Sequence, residues 1–200
     1  MLARIGSASV LVALLASPYA IAQEPIDCVR QGTEEGRRSF DEAQSCAVFD
    51  DSGSLRPTAQ FLESTYFDED GLSCVLFHEL GFFWVRSDGR TASVPTWDNM
   101  CAWFSEGLTV ANIDEHEVYI DQEFQVVLDP GYEVLAPFED GYARVCNGPF
   151  IFDQRRENRR TGGQCGLIDR SGQLVLDLLY PVEDFTSLRE YRNANSRSAQ

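Results

Sequence analysis

Short apolar stretches alternate with turn clusters from position 47 to 185. Gly166-Leu167-Ile168-Asp169 alternates like a half-buried strand and runs into Asp169-Arg170-Ser171-Gly172. An apolar return, Gln173 to Leu176, follows. The Gly of such a turn supplies a positive φ, so strand, turn and strand read as an antiparallel hairpin. Farther along, a large aromatic and a Phe bracket an irregular connection. A Gly, as in Glu139-Asp140-Gly141-Tyr142 or Ser105-Glu106-Gly107-Leu108, then turns the chain into a third strand. That strand is placed to pair with the first strand of the next hairpin. Helical periodicity is not sustained anywhere, and the pattern predicts an all-β chain of antiparallel strands.

The pattern is a repeat. Sliding Gly166–Phe185 upstream aligns Ile120-Asp121 with Ile168-Asp169, Gly89 and Gly53 with Gly172, and a large aromatic at Phe61, Trp97, Tyr132 and Tyr180. The Phe that follows falls at Phe67, Phe104, Phe138 and Phe185. These eight rings form the expected repeat core, since a large ring buries on the order of 150–250 Å² and anchors one unit on the next. Units start at Ala47, Phe83, Val118 and Gly166, spacings of 36, 35 and 48 residues. The last gap is lengthened by an insertion at 149–164. Four units of roughly 35 residues predict an open, curled array, with a closed propeller-like ring as the alternative if the N-terminal strand completes the last unit. Residues 23–46 are expected to form an N-terminal cap hairpin, 47–188 the repeat domain and 189–200 a flexible tail.

This skeleton resembles the WG-repeat family, bacterial proteins of tandem β-rich units with the pattern W-G-x-I-D-x-x-G-x-x-V-x-x-x-x-Y followed by F-x-E-G-x-A-x-V. The likeness runs from Ala47 to Phe185. Where the family has Trp-Gly, this chain has Cys46-Ala47, Phe82-Phe83, Glu117-Val118 and Cys165-Gly166. The resemblance implies a binding or scaffolding module without one characteristic catalytic activity.

The repeat also bears on the six cysteines, Cys28, Cys46, Cys74, Cys101, Cys146 and Cys165. Spacing alone allows fifteen connectivities. Cys46 and Cys165 share one unit position, and each has a Cys 18 or 19 residues upstream. Cys146 ends a third strand that should pair with the strand beginning at Cys165, which puts the two side chains together. The same logic joins Cys28 to Cys46, and elimination leaves Cys74 with Cys101. No CxxC pair is present, which argues against a redox motif or a zinc knuckle.

Composition adds an address. MLARIGSASVLVALLASPYAIA, residues 1–22, has an early Arg, an apolar middle and a small-residue end, and reads as a signal peptide cut before Gln23. Its apolar core is too short to span a bilayer, which takes roughly 20 residues. The expectation is an exported chain, periplasmic or secreted, from a Gram-negative-type bacterium, in a compartment where disulfides persist. All 16 basic residues are Arg. Cleavage removes Arg4 and none of the 32 acids, taking the formal charge from −16 to −17. That balance repels nucleic acid and anionic lipid, and the absence of Lys excludes Schiff-base and phosphate-loop Lys chemistry.

Candidate chemistry is sparse. His78-Glu79 has Phe82 where a zincin needs its second His, and His116 sits in Asp114-Glu115-His116-Glu117, a hairpin tip. Acidic groups such as Asp50-Asp51, Asp68-Glu69-Asp70 and Glu139-Asp140 are repeated at equivalent positions of the units, which marks fold positions, whereas a catalytic pair need occur only once. No catalytic residue, metal site or cofactor is expected. The most individual feature is QRRENRR, 154–160, which gathers Arg155, Arg156, Arg159 and Arg160 on an acidic molecule as a docking tip for an anionic partner. The expected function is therefore a non-enzymatic, exported module that binds a protein partner in the cell envelope. Two alternatives stand beside it: an inhibitor or immunity protein against a basic target such as lysozyme, and a carbohydrate-binding or hydrolase-like protein using acidic turns and exposed aromatics such as Trp84 and Trp103.

Overall fold

A computed structural model describes residues 24–34, 37–153 and 159–181. The proposed signal peptide, Phe185, the C-terminal tail, Arg155 and Arg156 lie outside the described residues. The fold is all-β with antiparallel strands, as the alternation predicts. Its strands are β1 Ile26–Glu34, β2 Arg37–Phe49, β3 Leu55–Pro57, β4 Leu72–Phe77, β5 Gly81–Arg86 and β6 Thr91–Ser93. There follow β7 Thr96–Trp97, β8 Met100–Cys101, β9 Thr109–Ile113, β10 His116–Ile120, β11 Val126–Leu128, β12 Val134–Leu135, β13 Tyr142–Asp153, β14 Arg159–Asp169 and β15 Leu174–Tyr180.

Each unit boundary is crossed as the repeat requires. The third strand of one unit pairs with the first strand of the next in β4–β5, β9–β10 and β13–β14. The N-terminal strand β1 behaves as a third strand lacking its own first two, and pairs with β2. Four three-stranded meanders result: β1–β2–β3, β4–β5–β6, β9–β10–β11 and β13–β14–β15.

The first two meanders join through β1 and β4 into a six-stranded sheet of order β3-β2-β1-β4-β5-β6. This sheet curls until its outer strands approach, and the Thr91 hydroxyl on β6 donates to the Leu55 carbonyl on β3 at 3.4 Å. It is thus nearly a closed barrel around Cys28, Ala47, Val75, Phe77 and Val85. A propeller-like ring would need β1 beside β15. Both edges of β1 are instead taken, by β2 and β4, so the N-terminal strand serves the first barrel. The later sheets, β11-β10-β9 and β12-β13-β14-β15, stay open. A second core of Val110, Tyr119, Leu135, Phe138, Val145 and Ile168 lies between them.

A short helix, α1 Ala59–Ser64, interrupts the strands after β3. Thr58 caps it, its hydroxyl accepting from the Phe61 amide at 3.2 Å, and Phe61 is the residue it buries. Six residues are too few to show a helical period in the sequence.

The repeat period reappears in the bonds between units. Arg86 donates to the Gln122 carbonyl 36 residues on, Ser105 to the Phe138 carbonyl 33 on, and the Gly141 amide to Glu106 35 back. Arg90 lays one guanidinium nitrogen on the Glu123 carbonyl and another on its carboxylate, both at 2.7 Å. Equivalent turns of neighbouring units are therefore stapled to each other.

Candidate interaction site

The acidic residues separate into roles once their turns are seen. Asp50 accepts the backbone N–H of Ser52 and Ser54, Asp121 those of Glu123 and Gln125, and Asp169 those of Ser171 and Gln173, all at 2.9–3.0 Å. The carboxylate two and four residues ahead of these amides closes the turn between first and second strands. Asp68 does the same ahead of the third strand, accepting from Asp70 and Leu72. At the equivalent turns of the next two units, Glu106-Gly107 and Asp140-Gly141 both take positive φ, the geometry of a tight type I′ hairpin. The recurring acid-Gly sequence is a folding joint.

Electrostatics agree with that assignment. The Ser52 hydroxyl and the Arg56 guanidinium hold Asp50 well below the usual carboxylate range, and the Ser171 hydroxyl lowers Asp169. Arg90 brings Asp88 down to about 2. These carboxyls shift downward, toward permanent charge, whereas a general acid needs a shift upward.

One cleft does gather acids. Glu115, His116, Glu117, Asp129 and Glu133 line a hollow of about 580 Å³ beside Tyr132. His116 Nε2 lies 3.3 Å from Asp129, and its Nδ1 lies 3.2 Å from the Asp114 carbonyl; that carbonyl, then Asp129, raise the imidazole pKa. Glu117 accepts the Leu135 amide at 2.6 Å, which ties β10 to β12. Asp114 and Glu115 are the central residues of the β9–β10 turn, where the sequence places a hairpin tip. His78 pairs with Glu42 at 3.2 Å, remote from this cleft. Among the described residues, no three His, Cys, Asp or Glu side chains converge as a metal site.

The repeat-core rings are placed as follows. Phe61 and Phe138 are buried; Phe67, Trp97, Phe104, Tyr132 and Tyr180 are half-buried. Phe138 packs on Tyr119 with ring centroids 4.7 Å apart, and Phe104 packs on Trp84 at 5.7 Å. Trp84 and Tyr119 hold the same unit position, so the packing repeats with the sequence. Trp84 is therefore not the exposed aromatic that a sugar-binding surface would use. It is half-buried, its indole N–H donating to the Ala102 carbonyl at 2.8 Å, because it forms the joint to its own unit's Phe. Trp103 is exposed and stacks edge-on against Trp97.

The cysteines form three disulfides, Cys28–Cys46, Cys74–Cys101 and Cys146–Cys165. Cys146 and Cys165 face each other directly in the β13–β14 register, with Cα atoms 4.0 Å apart. Their position matters for the insertion. Strands β12 and β15 flank the hairpin only as far as Cys146 and Cys165. Among the described residues, β13 and β14 continue alone beyond that level, through Asn147↔Gln164 and Phe150↔Gly162 to Asp153↔Arg159. The disulfide thus clamps the root of a two-stranded ribbon, on which Arg159 and Arg160 belong to β14. A second ribbon is similar, although β4 flanks it past the bridge, as far as Arg30. Strands β1 and β2 pair out to Glu34↔Arg37, beyond the level of the Cys28–Cys46 bridge at their root. The 18- and 19-residue Cys spacings are the signal in the sequence that these two ribbons are alike, although a cap hairpin is all that the pattern of residues 23–46 predicts.

Residues 119–148 match the family model described as WG containing repeat. The chain carries a WG repeat. The matched stretch runs from β10 through the Phe138 joint into β13, the third unit of the array. No curated protein and no solved structure matches the chain. Only the fourth unit keeps the Gly of the WG pair, and the structure gives a reason. Gly166 lies at a bulge in the β14–β15 ladder, where a Cβ would come within 2.2 Å of the Leu176 carbonyl oxygen.

Proposed function

We propose that this WG-repeat chain is an exported, non-enzymatic module that docks on a protein partner in the cell envelope through the Arg-bearing ribbon. The carrying observation is the β13–β14 ribbon itself, which outruns its sheet on a disulfide root. A disulfide at the root restrains the two strands that carry the Arg residues, which lowers the ordering cost of binding. Arg forks there would pair with carboxylates of the partner. Three disulfides are compatible with export to an oxidising compartment, and no helix among the described residues is long and apolar enough to cross a membrane. The engagement of turn carboxylates by backbone amides supports a non-enzymatic role. The test is affinity capture from envelope extracts with the wild type and with Arg155, Arg156, Arg159 and Arg160 reversed to Glu. Loss of one defined partner in the variant supports the reading. The excess of acids also favours inhibition of a basic target, for which lysozyme inhibition is the direct assay.

A further inference from the structure

The outer face of the six-stranded sheet carries a second surface. Val29 on β1, Leu76 on β4 and Phe82 on β5 lie directly opposite one another in register, so the three side chains form one apolar row across adjacent strands. The row floors a groove of about 400 Å³. Phe40 on β2 forms one wall and is 57 % exposed, unusual for a Phe. Met100 and the Asp98-Asn99 turn form the other wall. The charge that the described lining carries is acidic. Asp98 is the one charged residue in its lining, and Glu42, which faces Val29 in the β1–β2 register, continues the row at the far end. Both carboxylates are solvent-exposed. Glu42 is met by His78 at 3.2 Å.

We infer that this groove receives an apolar side chain of a basic partner segment, with Arg or Lys residues on either side of it meeting Asp98 and Glu42. The inference rests on the partner-binding reading above and adds a second surface of opposite preference to the Arg-bearing ribbon. An apolar floor between two carboxylates selects for an apolar residue flanked by cations. A second copy of the chain is a poor occupant, because each copy carries a formal charge of −16 and repels the other.

The probe is the peptide Ac-Arg-Arg-Leu-Arg-Arg-amide, titrated into the 15N-labelled, disulfide-intact protein and followed by amide chemical shifts. Two comparison peptides replace Leu by Gly, or every Arg by Glu. Saturable shifts centred on Val29, Leu76, Phe82 and Met100 with the Arg-Leu peptide are expected. The Gly peptide should bind at least about tenfold more weakly. Phe40→Ser, an exposed change that keeps the core, should weaken binding, and the pair Glu42→Gln with Asp98→Asn should weaken it about fivefold. Equal response to the Gly peptide would reduce the effect to non-specific charge and overturn the inference. So would equal response to the Glu peptide, no response at all, or groove shifts that grow with protein concentration alone. Reversing the four ribbon Arg residues should leave peptide binding unchanged. Failure of the groove with ribbon-dependent capture intact therefore refutes this inference alone.

Discussion

Phe138→Ala removes the ring at the joint between the third unit and the fourth. The side chain is fully buried, stacks on Tyr119 at 4.7 Å and lies beneath the Arg170 guanidinium, whose Cζ is 4.9 Å from the ring centroid. Truncating a buried Phe costs about 3–5 kcal/mol, part transfer and part cavity. Relaxation is restricted here, because the Tyr119 hydroxyl is fixed to the Ala136 carbonyl at 2.7 Å and the Phe138 carbonyl accepts from Ser105. The upper half of that range is expected. Against a total stability of about 5–15 kcal/mol, the loss is large. It corresponds to a fall in Tm of roughly 8–20 °C for a chain of this size. Phe104→Ala makes the same change at the equivalent, half-buried ring and should cost less, about 1.5–3 kcal/mol. Both are measured by guanidinium unfolding with disulfides intact, followed by far-UV circular dichroism. A Phe138→Ala cost below about 1 kcal/mol would refute the joint role, since no fully buried ring in a close-packed core is that cheap to remove. So would a Phe104→Ala cost larger than that of Phe138→Ala.

Further outcomes follow from the turns and bridges. Asp121→Ala strips two backbone amides of their acceptor and should destabilise by about 1–2 kcal/mol in urea unfolding, while Asp51→Ala beside an equivalent turn should be near neutral. Stability should decline with acid: the folded-state pKa values of Asp50, Asp88 and Asp169 are depressed, so their contribution is full above the unfolded value near 3.9 and is lost as pH falls toward the folded ones, about 2 for Asp88. Thermal melts from pH 6 to pH 2.5 check this, and Asp169→Asn should flatten part of the slope. The His116 pKa should lie above 6.5 by NMR titration and fall toward it in Asp129→Asn; its small stabilising effect is present at low pH and disappears as pH rises through the folded value. Replacing Cys146 and Cys165 by Ser opens a loop of sequence separation 19 and should cost about 3 kcal/mol by the chain-entropy account, with amide exchange accelerated first along Asn147–Asp153.

Most of the architecture was legible because it is written four times. A Gly or an Asp that recurs at one offset fixes a turn whatever the surrounding residues, so strand order within and between units followed from spacing. Closure did not. Whether β1 joins β4 or β15 depends on how strongly the first sheet twists, and nothing local in Ile26–Glu34 encodes its second neighbour. Phe124 shows another limit. It takes a φ of 59° at the position that Gly53, Gly89 and Gly172 hold in the other units, a strained choice for a bulky residue. The ring is packed against the core of Ala111, Val118 and Ile120, and its partial burial there offsets a backbone cost that a turn rule alone would forbid. Recurrence also marks the acidic turns as joints, and the carboxylates of Asp50, Asp121 and Asp169 do sit on the amides of their own turns. The groove beneath Phe40 has no such signature, because it gathers residues from strands far apart in the chain, with no shared spacing to betray them.

The proposed docking places function on the disulfide-rooted ribbon and not on the repeated acidic joints. The most direct measurement compares partner capture by three proteins: wild type, the variant with Arg155, Arg156, Arg159 and Arg160 changed to Glu, and a variant with Glu139 and Asp140 changed to Gln and Asn. The account predicts that a partner held by the wild type is lost on reversing the four Arg residues and retained on neutralising the joint. Retention by the ribbon variant together with loss by the joint variant would contradict it.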